Sequence, residues 1–128
     1  MTLLTQSTRA ALAGLLAMSL TGCATLHMPG VPARPPVMLE VDNRNDQAFD
    51  VFAVSPGGAA QRLGMVMGFN TGTFKLPAYA TATGTVRVVA VPIGGFGAAG
   101  SGSLSVRDGD TIEFTIQQVL SWSSAIVR

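Results

Sequence analysis

Apolar and polar residues alternate with a period of two along much of the chain after residue 36, and this pattern limits the fold most strongly. In residues 37–41 and again in residues 111–117, apolar side chains occupy every second position. Successive side chains of a β-strand point to opposite faces, so such runs predict strands with one buried face. No stretch after residue 36 has the 3.6-residue period of a helix. The body of the chain is therefore expected to be all-β.

Further apolar runs and the turn residues between them set the expected number of strands. The runs are residues 48–54, 59–67, 73–76, 86–91 and 103–106. The run at 86–91 is apolar on both faces, which predicts a central strand covered on both sides. Asp108-Gly109 predicts a hairpin between the runs that flank it. Seven short strands at this spacing predict a small seven-stranded antiparallel β-sandwich, immunoglobulin-like or transthyretin-like, with a small open β-barrel as the alternative.

The side chains expected to fill the core come from alternate positions of these strands. Burying them must provide most of the stability, because a chain with one cysteine has no intrachain disulfide. The predicted core residues are Leu39, Val41, Phe49, Val51, Leu63, Phe74, Val86, Val88, Leu104, Ile112, Phe114 and Ile116.

Composition excludes several classes of function. Charged residues make up 12% of the chain and the formal net charge is +1, so the basic footprint of a nucleic-acid-binding protein is absent. A hydrophobic content of 48% is too high for a disordered chain. One cysteine and one histidine provide neither a cysteine-rich zinc site nor a histidine-based catalytic group.

The N-terminus has the layout of a secretory signal peptide. Residues 1–9 contain Arg9 and no acid, residues 10–20 are largely apolar, and small residues follow up to Cys23. The apolar run is too short for a transmembrane helix, which needs about 20 residues. Residues 1–22 are therefore predicted to be a signal peptide that is removed from the mature protein.

The end of that segment, Leu20-Thr21-Gly22-Cys23, resembles the lipobox of bacterial lipoproteins. In that family the cysteine thiol receives a diacylglyceryl group, the signal is cut just before the cysteine, and the new amino group is usually acylated. The resemblance implies that Cys23 carries acyl chains, which hold the protein on a membrane. Ala24 stands where the family's inner-membrane retention signal has Asp, which implies the periplasmic face of the outer membrane.

The remaining chain divides into three segments. Residues 23–36 contain the lipidated cysteine and four prolines, so they predict a semi-rigid linker with a reach of roughly 40 Å. Residues 37–118 form the expected sandwich. Residues 119–128 form an apolar C-terminal tail that contains Trp122, the only tryptophan.

Motifs that suggest catalysis or metal binding have simpler interpretations. His27 lies in the linker, and Glu40 and Glu113, the only glutamates, fall at outward strand positions. Residues 95–100 match G-x-G-x-x-G, but no helix can follow, so we interpret residues 92–102 as a glycine-rich loop.

The oxygen-rich residues of the first turn favour an exposed β-turn, with a weak calcium site as the alternative; they are Asp42, Asn43, Asn45, Asp46 and Asp50. We therefore predict no catalytic residue, no metal and no cofactor.

Three exposed apolar candidates remain for contact with a partner or a ligand. Ile93 and Phe96 lie on the glycine-rich loop, and Trp122 lies in the tail. Tryptophan is enriched at the centres of protein interfaces. The sequence thus predicts a lipid-anchored cell-envelope lipoprotein, not an enzyme, whose sandwich is an accessory or protein-interaction module with an envelope protein as partner. The alternative is a periplasmic lipoprotein that binds a small ligand.

Overall fold

A computed structural model describes residues 33–128, which form a compact unit, Ala33–Arg128. The predicted signal peptide, Cys23 and linker residues 24–32 with His27 lie outside the described residues. No helix among residues 33–128 has the length and apolar character needed to cross a membrane. The strands are β1 (Met38–Asn43), β2 (Phe49–Val54), β3 (Ala60–Val66), β4 (Thr71–Lys75), β5 (Thr85–Pro92), β6 (Ala99–Ser105), β7 (Thr111–Ile116) and β8 (Ser124–Val127).

The strands pair within two four-stranded sheets, which confirms the β-sandwich and excludes the barrel. The first sheet has the order β4-β1-β7-β8 and the second has the order β3-β2-β5-β6. The chain forms eight strands rather than seven, because the tail contributes β8. The pairing of β1 with β7 is parallel, whereas every other strand pair described is antiparallel. The prediction of a wholly antiparallel sandwich was therefore wrong at this one pair.

The core lies between the two sheets and consists mainly of the alternate apolar positions that the sequence predicted. Leu63, Phe74 and Leu104 are only half-buried and pack against its margin. Buried positions that the sequence analysis did not select include Val37, Ala53, Val66, Leu76, Ala90 and Ala99. Several of these are small residues or lie at strand ends, where alternation over a few residues gives little signal.

A bulge in β3 explains why Leu63 is not fully buried. The pairing of β2 with β3 shifts between Val51 and Phe52, which leaves Leu63 without a register partner. The next residue, Gly64, lies so close to the ring of Phe74 that a Cβ there would be 2.6 Å from Cε1 of the ring. Only glycine accommodates this approach, so Phe74 fits across the edge of the second sheet.

The strand at 86–91 is central in its sheet but is not covered on both sides. Val88 and Ala90 are buried, whereas Val89 is half-buried and Val91 is exposed on the outer face. No third layer lies over this face in the described part of the chain. The prediction of burial on both faces was wrong. The apolar residues of a strand cannot show whether a second layer of structure covers the outer face of its sheet.

The turn at Asp108-Gly109 forms, but it does not close a hairpin. The amide N–H of Asp110 donates to the carbonyl of Arg107 at 3.0 Å, and Gly109 has a φ of 87°. Its flanking strands β6 and β7 belong to different sheets, so the turn carries the chain across the sandwich. The hairpin prediction was wrong. Turn residues determine where the chain reverses direction, but they do not determine which strand the next segment pairs with.

Two segments that the sequence left irregular are partly strands. The loop predicted over residues 92–102 covers only residues 93–98, because β6 already begins at the buried Ala99. The C-terminal tail forms a 3-10 turn, Leu120–Trp122, and then β8, which pairs with β7. The tail is therefore an edge strand of the first sheet.

Candidate functional site

The strand registers bring four loops to one end of the sandwich. Asn43 and Ile116 are register partners at the ends of the parallel strands β1 and β7. The first residue of β2, Phe49, pairs with the last residue of β3, Val66, and with the last residue of β5, Pro92. The strands that follow, β4, β6 and β8, start at the same end. We call this the loop end; it consists of residues 44–48, 67–70, 93–98 and 117–123.

Two buried asparagines hold the first of these loops in place. Asn43 and Asn45 are only 1% and 5% exposed. The side-chain oxygen of Asn43 accepts the backbone N–H of Asn45 at 2.9 Å, and that of Asn45 accepts the N–H of Gln47 at 3.0 Å. Such bonds are typical of Asx turns. The sequence predicted both asparagines to be exposed turn residues or calcium ligands. Instead, both are buried, and each side-chain oxygen accepts a hydrogen bond from a backbone N–H of the turn.

The amide groups of the same asparagines connect this loop to its neighbours. Asn43 Nδ2 donates to the carbonyl of Met67 at 2.9 Å, and Asn45 Nδ2 donates to the carbonyl of Gln117 at 3.1 Å. The backbone N–H of Ile93 donates to the carbonyl of Ala48 at 2.9 Å. Residues 43–48 thus contact all three other loops. Because buried polar groups are costly to leave unpaired, these bonds fix the loops relative to one another.

The loop end exposes large apolar side chains that the fold leaves without cover. Phe96 is 98% exposed, Trp122 is 73% exposed and Phe69 is 69% exposed. The full set of large exposed apolar residues in these loops is Met67, Phe69, Ile93, Phe96, Val119 and Trp122. The structure therefore brings the three predicted contact residues, Ile93, Phe96 and Trp122, to one end. Sequence reasoning missed Met67 and Phe69, which continue a run that had been interpreted as strand.

The loops that carry these side chains contain no charged residue. Residues 67–70, 93–98 and 117–123 hold no Asp, Glu, Lys, Arg or His. The nearby cations are paired: Arg44 Nε donates to Asp42 Oδ2 at 2.9 Å, and Arg62 pairs with Asp50 at 2.7 Å. The strand orders place residues 44–48, with exposed Arg44 and Asp46, between the loop of Phe69 and the loops of Phe96 and Trp122. The uncharged apolar surface is therefore formed mainly by residues 93–98 and 117–123.

Phe69 has a backbone conformation that is costly for its residue type. Its φ is 56°, in the left-handed region, and it is the only residue other than glycine with a positive φ in residues 33–128. A bulky side chain in this region is a true outlier, and such strain concentrates at functional sites. The ring is largely exposed, so burial does not compensate for the strain. The strain at Phe69 therefore makes its loop part of the candidate site.

Replacing Phe69 with glycine should stabilise the domain. Relief of the left-handed strain is worth about 1–2 kcal/mol, and the added flexibility of glycine in the unfolded chain removes part of it, which leaves about 0.5–1 kcal/mol. The free energy of unfolding from urea titration measures the effect. Phe96→Gly, at a more exposed residue without a positive φ, is the matched control and should not stabilise. A loss of stability in Phe69→Gly would show that the ring packs productively.

The outer face of the first sheet carries a group of charges that the sequence analysis did not foresee as neighbours. Glu40 and Glu113 are register partners on the parallel strands β1 and β7. The guanidinium of Arg128 contacts Glu113 and lies 3.7 Å from Glu40. The shallow groove over this face has a volume of about 400 Å³ and is also lined by threonines. The arrangement is an exposed ion-pair network, since all three side chains are at least partly open to solvent.

The described residues offer no cluster suited to a metal ion. Within residues 33–128 no three His, Cys, Asp or Glu side chains come together in a way that would hold one. Every buried side-chain nitrogen or oxygen in this part of the chain has a hydrogen-bond partner. The strongest candidate for a functional site is therefore the apolar loop end.

Comparison with known proteins gives little further information. No family model matches the chain, and no curated protein matches its sequence. Among solved structures, the chain is similar to the NMR structure of a protein from Eubacterium rectale, with 11% sequence identity and a TM-score of 0.46. The alignment covers 77% of this chain and 94% of that chain.

Proposed function

We propose that this chain is a lipid-anchored lipoprotein of the bacterial cell envelope whose β-sandwich is a non-catalytic protein-interaction module. Acyl chains on Cys23 would hold it at the periplasmic face of the outer membrane, with an envelope protein as its partner. Two or more acyl chains give stable anchoring where one gives only marginal binding. The module requires no cofactor, and its neutral, charge-poor body does not suit nucleic acid.

The observation that carries this proposal is the uncovered apolar loop end. The largest contiguous apolar patch on a typical soluble monomer measures about 300–600 Å², and such a patch is often functional. Phe96 and Trp122 are the most exposed aromatic side chains of this surface. We assign them the role of anchors, with Ile93 beside them. Asn45 holds the loop of Trp122, and the bond from the N–H of Ile93 to the carbonyl of Ala48 holds the start of the loop of Phe96, which lowers the entropy lost on binding.

The position of the linker supports the same assignment. Pro35 accepts a hydrogen bond from the backbone N–H of Gly109 at 3.1 Å, and Met38 donates to the carbonyl of Asp110 at 2.9 Å. The residues that lead into the sandwich therefore lie beside the turn at 106–110, at the opposite end from the loop end. A body tethered at that end leaves its apolar loops free to meet a partner.

Fractionation of cells tests the lipid anchor. We expect the wild-type chain in the membrane pellet and the Cys23→Ser variant, exported behind a signal peptide whose removal does not depend on acylation, in the soluble fraction, because acylation requires the thiol. Trp122→Ser serves as the control, since it retains Cys23 and should remain in the pellet. Recovery of Cys23→Ser in the pellet at the wild-type level would contradict the anchor.

Co-purification in mild detergent tests the interaction. The acylated wild-type chain should recover a stoichiometric protein that is lost when Phe96→Ser and Trp122→Ser are combined. Tyr79→Ser is the matched control, because Tyr79 is an exposed aromatic residue near the linker end. If no protein is recovered with wild type, or if the combined variant retains it, the loop end is not the contact surface.

A further inference from the structure

The area of the loop end is large enough to form one side of a stable interface. An aromatic side chain presents about 150–250 Å², and three of them lie in these loops, each more than two-thirds exposed. They expose roughly 500 Å² between them, before Met67, Ile93 and Val119 are added. A standard interface buries about 800 Å² on each partner. Since about 57% of an interface is apolar, one partner contributes roughly 450 Å² of apolar surface, and the exposed apolar side chains of the loop end together reach that amount.

The charge distribution of this surface suits contact between two identical copies. A two-fold contact places the same residues on both sides, so a surface with net charge repels its own copy. The three loops that carry the apolar residues have no charged side chain, and Arg44 and Arg62 beside them are already paired with Asp42 and Asp50. Residues 44–48 add Arg44, which is paired, and the exposed Asp46, so the loop end carries a single further acid and no row of like charges that would oppose a second copy.

The projecting ring of Phe96 is accessible to a second copy. Phe96 is almost entirely exposed, and a Cβ at Gly94 would meet no other atom, so nothing on this side of the loop obstructs the approach of another surface. Asn45 already holds the loop of Trp122, and the N–H of Ile93 bonds the carbonyl of Ala48 at the start of the loop of Phe96, so association needs little reordering.

We propose that the loop end is a homodimer contact, in which two copies of this chain meet loop end to loop end with Phe96 and Trp122 at the centre. The proposal rests on the proposed function, in which the loop end is the contact surface, and it names the partner as a second copy. The predicted linker reach of roughly 40 Å exceeds the length of the longest strand, about 26 Å for eight residues. Two copies anchored in one leaflet therefore have enough freedom to tilt towards each other.

Sedimentation velocity of the mature chain, residues 23–128 with Cys23→Ser and without the predicted signal peptide, tests this contact without acyl chains or disulfides. Between about 1 and about 200 µM we expect a monomer–dimer equilibrium. Trp122 is the only tryptophan, so its emission should shift to the blue as the dimer forms. The dissociation constant should not rise between about 50 and about 500 mM NaCl, because no charges make the contact.

Substitutions locate the contact on the loop end. Phe96→Ser in the Cys23→Ser background should raise the dissociation constant at least about tenfold while keeping Trp122 as the reporter. Tyr79→Ser in the same background should leave it unchanged. A monomer at every concentration overturns the proposal, and so does a dimer that Phe96→Ser does not weaken.

Two further outcomes separate this proposal from the proposed function. If the soluble chain stays monomeric but the acylated chain co-purifies with a different protein through Phe96 and Trp122, the homodimer is wrong and the interaction module stands. If Trp122 shifts to the blue with vesicles of phosphatidylethanolamine and phosphatidylglycerol while the protein remains monomeric, the loop end binds lipid, and the homodimer is again overturned.

Discussion

Phe114→Ala should reduce the free energy of unfolding by about 3–5 kcal/mol, among the largest losses expected from a single core substitution in the described part of the chain. Phe114 lies on β7, a central strand of the first sheet, and is fully buried. Its register partners are Val41 on β1 and Ala125 on β8, so its ring lies where three strands meet. Removing the ring leaves a cavity that neighbours fixed in sheets on both sides cannot fill by small movements.

Urea denaturation at 25 °C measures this loss, with Phe96→Ala as the matched control. Phe96 is 98% exposed, so its removal should change stability by less than about 0.5 kcal/mol. If Phe114→Ala does not fold, Phe114→Leu keeps most of the volume and should cost about 1–2 kcal/mol. A loss below about 1 kcal/mol in the alanine variant would mean that the ring is not part of the core.

The alternation that predicted Phe114 as a core residue works because it is a local property. Whether a side chain points inward or outward follows from strand geometry over a few residues, so Ile112, Phe114 and Ile116 could be assigned from sequence alone. Which strands become neighbours depends on contacts between distant residues. The parallel pairing of β1 with β7 joins segments about 70 residues apart, and no turn between them records it.

The same limit applies to the candidate site. Exposed apolar residues such as Phe96 and Trp122 stood out because each interrupts a polar or glycine-rich segment. That they lie at one end with Phe69 follows from strand order and register, which the sequence did not reveal. The side-by-side placement of Glu40 and Glu113 on neighbouring strands was unforeseen for the same reason.

Buried polar residues were the least predictable part. Asparagines in a turn usually form hydrogen bonds with the backbone of the turn and remain exposed to solvent. Asn43 and Asn45 were therefore predicted to be exposed. The local bonds do form, but the free amide groups then satisfy carbonyls from two distant loops. A pattern within five residues cannot show which remote carbonyls will need a donor.

Asn43→Ala should therefore cost about 2–3 kcal/mol of stability, although the residue lies outside the apolar core. The substitution removes the donor to the carbonyls of Gln47 and Met67 and the acceptor for the N–H of Asn45. These backbone groups would be left without their side-chain partner close to a fully buried position. Asn70→Ala is the matched control, because Asn70 lies in the adjacent loop and makes a single exposed hydrogen bond, to the carbonyl of Gly68. That variant should lose less than about 0.5 kcal/mol.

Asn43→Asp separates the hydrogen bonds from the volume of the side chain. The shape is nearly unchanged and one oxygen can still accept from Asn45, but the second oxygen would face the carbonyls of Gln47 and Met67. At neutral pH a carboxylate there is both buried and repelled, so the loss should be at least as large as in the alanine variant. In acid the protonated carboxyl donates one hydrogen bond, so the loss should become smaller as pH falls. Equal stability of Asn43→Asp and wild type at pH 7 would show that the amide does not fix the loops, and the support for a preorganised loop end would disappear with it.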